Sequence, residues 1–312
     1  MRDMNSRSAV KNLTYSGGFL DRASDRRSDP DWVAMLLEAP RTRLIPIWRD
    51  CCLVSGDPPV PVMSLDGGRY HPAREVSTPL FLGLDGDAAL FAVDLSSLEQ
   101  QRAVGIAGAE RVGDLRAFAG IVSAAESAIL AYARGLVHWN RHQQFCGTCG
   151  AATLSRHGGH LRVCSDESCA RLHFPRIEPA VITLVESAGP PQRCLLARHH
   201  GSAPDSYALI AGFVEIGESL EDAVRREVAE ETGIKVVTVD YVASQAWPFP
   251  AGLMVGFRAT AASESVAADG QEIVEARWFT RADLAQRAAS GRPLGRKDSI
   301  DRLLLQSWLN QA

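Results

Sequence analysis

The chain is predicted to be an α+β protein built from three parts. Three observations predict it. Between Arg41 and Leu98, short apolar runs are punctuated by turn residues such as Gly56-Asp57-Pro58-Pro59, Asp66-Gly67-Gly68 and Asp85-Gly86-Asp87, the pattern of a small, mainly antiparallel β domain. Four of the cysteines fall between Cys146 and Cys169. Beyond Pro179, β-branched apolar runs alternate with one strongly patterned helix. The expected division is a β-rich N-terminal domain ending in a helix (1–140), a cysteine module (141–178) and a C-terminal α+β domain (179–312), in line with two or three domains for 312 residues.

Composition narrows the class. Apolar residues make up 46% and charged residues 22%, which excludes wholesale disorder. A formal net charge of −4 excludes binding to nucleic acid by bulk charge, though not by a local patch. Seven cysteines, with Cys51 and Cys52 adjacent, do not suit a disulfide framework and point to a reducing compartment. No run of 18 apolar residues offers a membrane span, and the polar, Asp-containing N-terminus has no signal-peptide core. The expectation is a cytoplasmic protein with no membrane partner.

Residues 1–30 are expected to be loosely structured or peripheral. Between Asp114 and His142, the apolar positions Ile121, Ala125, Ala128, Ile129, Tyr132 and Leu136 recur at helical spacing and predict one amphipathic helix. Val181–Val185 and Cys194–Ala197 read as buried strands around a Gly-Pro-Pro turn. Ser219 to Thr232 reads as a helix stopped by Gly233, followed by strands at Val236–Ala243, Met254–Thr260 and Ile273–Phe279. A final helix is expected from Asp298 to Leu309.

Cys146-Gly-Thr-Cys149 and Cys164-Ser-Asp-Glu-Ser-Cys169 have the spacing of a tetrahedral thiolate site for zinc. Four thiolates leave no coordination position for water, so such a zinc is structural. Two disulfides or free thiols are the other uses of these residues, and His157, His160 and His173 are nearby substitutes as ligands. Cys51, Cys52 and Cys194 remain as spare thiols.

The patterned helix carries the chemistry. Glu227, Glu230 and Glu231 are three and four residues apart and project from one face, where they repel unless a cation lies among them. Hard divalent ions take oxygen ligands, and Mg²⁺ combines a few carboxylates with substrate phosphate oxygens. A solvated acidic helix is the bland alternative. Arg226 can pair with Glu230 on the same helix or with Glu218 across the preceding turn.

The whole stretch runs from Gly212 through Glu218 to Arg226-Glu227-Val228-Ala229-Glu230-Glu231-Thr232-Gly233-Ile234. It resembles the Nudix box of the Nudix hydrolases. The resemblance implies an α/β/α sandwich and Mg²⁺- or Mn²⁺-dependent hydrolysis of a nucleoside diphosphate linked to another group. It makes Glu227 and Glu231 metal ligands, Glu230 a ligand or the base, the carbonyl of Ala211 a further ligand, and Glu272 a fourth carboxylate.

Downstream, Gln245-Ala246-Trp247-Pro248-Phe249-Pro250-Ala251-Gly252 places two aromatics between prolines, a stiff ledge able to stack on a planar heterocycle or to pack in a core. With the cysteine module just ahead of the box, it is similar to the array of NADH pyrophosphatases, the NudC-type branch. That resemblance implies cleavage of NAD(H) to AMP and nicotinamide mononucleotide, removal of NAD caps from RNA, a zinc ribbon and a homodimer. It assigns the array, Phe174, Phe213 and Asp301 to substrate binding. Ala246 and Gly252 stand where the family has Pro and Ser, Phe174 where it often has Tyr, and Asp301 where it tends to have Ala. Hydrolysis of another diphosphate such as ADP-ribose, and RNA binding through Arg156, His157, His160, Arg162, Arg171 and Arg176 on a scaffold, are the competing readings.

Overall fold

The computed structural model describes residues 13–65, 71–268, 270–292 and 294–311. The expected Asp66-Gly67-Gly68 turn and the first twelve residues lie outside them. The chain divides into two compact units, Thr14–Ile177 with the insert Trp247–Ala251, and Glu178–Ala246 with Gly252–Ala312.

The first unit begins with an ordered segment, against expectation. Tyr15 and Ala23 are buried, and Asp21 exchanges backbone hydrogen bonds with Leu84. Gly83 permits that approach, since a β-carbon there would collide with the Asp21 carbonyl. Helix α1 (Pro30–Leu37) follows, capped by Asp29. Strands β1 (Arg43–Trp48), β2 (Cys51–Ser55) and β3 (Val60–Pro61) precede a short helix α2 (Ala73–Val76). After it come β4 (Leu80–Asp85), β5 (Ala88–Asp94), helix α3 (Gln100–Ile106) and β6 (Arg111–Gly113). The sheet order is β3-β2-β1-β5-β4, with β6 on β2. It is antiparallel except for the central β1–β5 pair, which runs parallel. Leu44, Leu53, Phe81, Phe91 and Val93 fill its core.

Helix α4 (Ala124–His142) starts later than its apolar spacing suggested. Leu115–Phe118 forms a separate 3₁₀ turn, Gly120 adopts φ +82°, and Ser123 with Glu126 closes a reciprocal cap. Ile121 is therefore outside the helix and exposed, and the buried stripe runs instead through Ala128, Ala131, Leu136 and Trp139. The cysteine module forms a three-stranded antiparallel sheet of β7 (Thr153–Arg156), β8 (Leu161–Cys164) and β9 (Leu172–His173).

The second unit holds β10 (Glu178–Glu186), β11 (Arg193–His199), β12 (Ile210–Phe213), helix α5 (Leu220–Thr232), β13 (Val236–Trp247) and β14 (Gly252–Ala261). It ends with β15 (Ile273–Thr280), helix α6 (Arg281–Ala289) and helix α7 (Ile300–Leu309). The sheet order is β13-β14-β10-β11-β15, with β12 antiparallel to β10 and β14 parallel to it. Both sheet faces are buried, which is why the strands read as near-continuous apolar runs. Val181, Val185 and Leu195 pack with Ala223, Val224 and Val228 of α5. Their neighbours Ile182, Leu184 and Cys194 pack with Leu284 of α6 and Leu304, Leu305 and Trp308 of α7. This is the α/β/α sandwich. β12 and α6 were not anticipated, because four residues and a weak apolar stripe give little periodicity to read.

Candidate active site and zinc centre

Helix α5 starts where Ser219 Oγ accepts the Asp222 N–H at 3.1 Å and stops at Gly233, φ +71°. Burying Ala223, Val224 and Val228 fixes the helix's rotation, and with it the glutamates. Glu231 is only 4% exposed and the Glu227 side chain 14%, whereas that of Glu230 is 63% exposed. The three thus divide into an inward pair one turn apart and an outward neighbour. Gly212 of β12 lies against the Glu227 carboxylate, and a β-carbon there would overlap it.

Arg226 ties the surrounding pieces together. Its Nε and Nη2 donate to the two Glu218 oxygens at 2.6 and 2.9 Å, and Nη2 also donates to the Phe213 carbonyl at 2.8 Å. Nη1 pairs with Glu227 Oε1 at 2.9 Å and donates to Glu230 Oε2 at 3.2 Å. Both sequence-predicted partners, Glu218 and Glu230, are therefore engaged at once. The Arg226 hydrogen bonds, helped by the Glu215 N–H, hold the Glu218 carboxyl down at about 2. Glu227 moves the opposite way. Burial raises its pKa, and the charges of Glu230 and Glu272 add to that against Arg226. Glu272 itself is exposed, with Oε1 3.9 Å from His199 Nδ1.

These residues suit a hard divalent cation. The donors are oxygens, the inward carboxylate of Glu227 disfavours its own charge, and the missing Gly212 side chain leaves that carboxylate its place. Ala211 sits beside it in β12, in register with Ile182.

The four cysteines are the one set of Cys, His, Asp and Glu ligand atoms gathered within 4.8 Å among the described residues. Cys146 and Cys169 Sγ are 3.8 Å apart, Cys149 and Cys164 Sγ 3.4 Å. No disulfide joins them. Thiolates about 2.3 Å from a tetrahedral zinc lie about 3.8 Å from one another, so the set fits the ion. N–H groups of Cys149 and Thr148 directed at Cys146 lower its thiol to about 5. The histidines are not members of the set. His160 Nε2 instead donates to the Phe81 carbonyl at 2.8 Å.

Several residues assigned to substrate have other contacts. Gln245 is buried, its Nε2 donating to the Asp298 carbonyl and its Oε1 accepting the Ile300 N–H, each at 2.8 Å. It anchors the start of α7 and presents no free amide. Asp301 is also buried, its carboxylate accepting backbone N–H groups of Arg296 and Arg302. Burial raises its pKa. Both side chains follow the same physics, since a buried polar group is satisfied internally. Ala246 is the last residue but one of β13 and Gly252 opens β14, so these two are strand positions. Pro248 is buried, Trp247, Phe249 and Ala251 are half-buried, and Pro250 is exposed. Phe174 and Phe213 are exposed. Of the basic residues, Arg156, His157, Arg171 and Arg176 are exposed. Arg162 is buried, donating to Thr153 Oγ1 at 2.7 Å and Asn140 Oδ1 at 3.3 Å.

The NUDIX domain family matches residues 176–298, the NADH pyrophosphatase zinc ribbon domain 141–174, and the NADH pyrophosphatase-like rudimentary NUDIX domain 41–139. The NAD-capped RNA hydrolase NudC of Deinococcus radiodurans is 40% identical over 206 residues, covering 66% of this chain and 70% of that protein. The chain belongs to the NudC-type Nudix hydrolases. The human NAD-capped RNA hydrolase NUDT12 is 44% identical over 163 residues, 50% of this chain and 35% of that protein. The Pseudomonas aeruginosa NudC is 39% identical over 181 residues, 58% and 61% respectively. The chain therefore spans only about a third of the NUDT12 length. The N-terminal β domain, read from sequence only as β-rich, matches a rudimentary copy of the same fold family. Its helix α4 carries a single glutamate, so the box offered no signal there.

Among the described residues, no helix is long and apolar enough to cross a membrane.

Proposed function

We propose that the chain hydrolyses the pyrophosphate of NAD(H) to AMP and nicotinamide mononucleotide with Mg²⁺ or Mn²⁺, and removes NAD caps from RNA. The observation that carries this reading is Glu227 turned inward against Gly212, with Glu231 buried one turn on and Glu230 exposed. The NudC relatives, whose names describe NAD-capped RNA hydrolases, support the substrate class.

Glu227 and Glu231, with Glu272 and the Ala211 carbonyl, would hold the cation. When bound, it supplies positive charge against the pyrophosphate oxygens and the departing phosphate. Glu230, exposed on the helix, orients the attacking water and accepts its proton on a carboxylate oxygen. The water oxygen bonds to one phosphorus, the bridging P–O bond breaks, and one mononucleotide leaves. Arg226 keeps Glu218 and the Phe213 carbonyl in place throughout. The exposed ring of Phe213 supplies a face for a nucleotide base. Zinc holds the ribbon. We place the protein in the cytoplasm as a homodimer, with Arg156, His157, Arg171 and Arg176 as the phosphate-binding patch for RNA.

A second reading, hydrolysis of ADP-ribose or another nucleoside diphosphate derivative, gains support from Gln245, since this member of the nicotinamide array is turned inward. One experiment separates the two. Purified protein is incubated with Mg²⁺ or Mn²⁺ and NADH, NAD⁺, ADP-ribose or NAD-capped RNA, and the products are identified. The proposal expects AMP and nicotinamide mononucleotide from NADH, and orders of magnitude less from Glu231→Gln. An unaltered rate in Glu231→Gln, or turnover of ADP-ribose alone, defeats it.

A further inference from the structure

The Trp247–Ala251 loop is gripped by residues of the N-terminal unit. Arg116 Cζ lies 3.5 Å from the centroid of the Phe249 ring, and Arg134 Cζ lies 4.9 Å from the same centroid. Tyr15 meets Phe249 and Trp247 edge-on, at 5.6 and 6.3 Å between centroids, and Trp247 meets Phe249 edge-on at 5.2 Å.

The grip is itself braced. Arg134, 9% exposed, donates from Nη1 to the Pro250 carbonyl at 3.0 Å and from Nε to the Asp50 carbonyl at 2.8 Å. Arg116 is the second residue of a 3₁₀ turn whose cap, Asp114, accepts its N–H at 2.8 Å and lies 3.4 Å from its Nη1. The Tyr15 N–H donates to Ser127 Oγ at 2.9 Å. All these partners belong to the N-terminal unit, the rudimentary domain and the segment before it.

A guanidinium over a ring face and aromatic edges against its rim both exploit the ring quadrupole, and both fix orientation as well as position. Phe249 has a cation on its ring and cannot offer that face to a base. It is an anchor, and Trp247 is the array's remaining aromatic. A loop held in shape before binding spends less binding energy on being ordered.

We propose that Arg116, Arg134 and Tyr15 are positioning residues for substrate recognition, holding the Trp247–Ala251 loop from the rudimentary domain. The proposal rests on the assignment of that loop to NAD(H) recognition.

Its test is steady-state hydrolysis of NADH by the full chain, its Arg116→Ala and Arg116→Lys variants, Phe249→Leu, and the double variant of Arg116→Ala with Phe249→Leu, each checked by thermal melting. Arg116→Ala should raise KM about tenfold with kcat within about twofold, the signature of lost uniform binding. Arg116→Lys should recover part of that loss, and Arg116→Ala should add nothing in the Phe249→Leu background. Should Arg116→Ala fail to fold, Arg116→Lys in the two backgrounds decides: a rise confined to the Phe249 background supports the clamp, an equal rise or none overturns it. An unchanged KM in folded Arg116→Ala, with an active parent, overturns the clamp alone. A parent inactive on NADH overturns the functional reading and the clamp with it.

Discussion

The Glu227 carboxylate occupies the space that a β-carbon on Gly212 would fill. The two residues lie on different elements, β12 and α5, and the first glycine of the box is explained by that contact rather than by its backbone angles. Gly212→Ala should leave the sandwich folded but push Glu227 aside. We expect kcat to fall by about two orders of magnitude, because a misplaced catalytic group of this kind costs about 10²-fold. Circular dichroism with single-turnover kinetics checks it; full activity would detach Gly212 from the site.

Arg226 holds Glu218 in a two-pronged pair while touching the Phe213 carbonyl, Glu227 and Glu230. Lysine keeps the charge but has no fork to span these partners. Arg226→Lys should therefore lower kcat by about tenfold or more, with a modest change in melting temperature. Wild-type turnover in that variant would show that charge alone suffices.

Gln245 divides a structural role from a recognition role. Its amide satisfies the Asp298 carbonyl and the Ile300 N–H inside the second unit. Gln245→Leu leaves both unsatisfied, at about 1–3 kcal/mol for each buried group. Urea denaturation should show the loss, while KM for NADH in the folded fraction stays close to the parent's. A large KM change without lost stability would return Gln245 to the substrate.

His160 makes stability depend on pH. Burial pushes its pKa down to about 4; the Phe81 carbonyl opposes this, and the charges of Arg27, Arg22 and His157 assist it. Tyr132 Oη, 3.2 Å from its Nε2, is the remaining titratable neighbour. Between the ordinary value near 6.5 and about 4, the unfolded chain binds a proton that the folded chain does not. The contribution is full above pH 6.5 and falls as pH drops toward 4, by about 3 kcal/mol at most. Comparing the parent with His160→Gln in melts from pH 7 to 4 isolates the effect. Parallel pH profiles would exclude His160 as its source.

The thiolate set predicts about one zinc ion per chain by elemental analysis, lost in Cys164→Ser. Chelation should lower the melting temperature, and restored zinc should recover it. A zinc-free chain with unchanged melting would make the cysteines simple thiols.

The box and the cysteine pairs were legible in the linear chain because their chemistry depends on short spacings. Three- and four-residue steps place glutamates on a helix face, and paired cysteines reach one ion whatever the rest of the chain does. Strands buried on both faces were legible too, since Val181–Val185 is apolar at every position except Thr183. What the spacing left open was which side chains turn inward and what they meet there. Glu230 and Glu231 are adjacent in sequence yet lie at opposite extremes of exposure. Gln245, Arg162 and Asp301 carry the residue types of a binding site, yet each is satisfied by partners that folding brings close from other elements or loops. Phe249 reads as a stacking ring until Arg116 and Tyr15, more than a hundred residues earlier, arrive against it. Such long-range contacts follow from packing in three dimensions, and local periodicity carries no record of them.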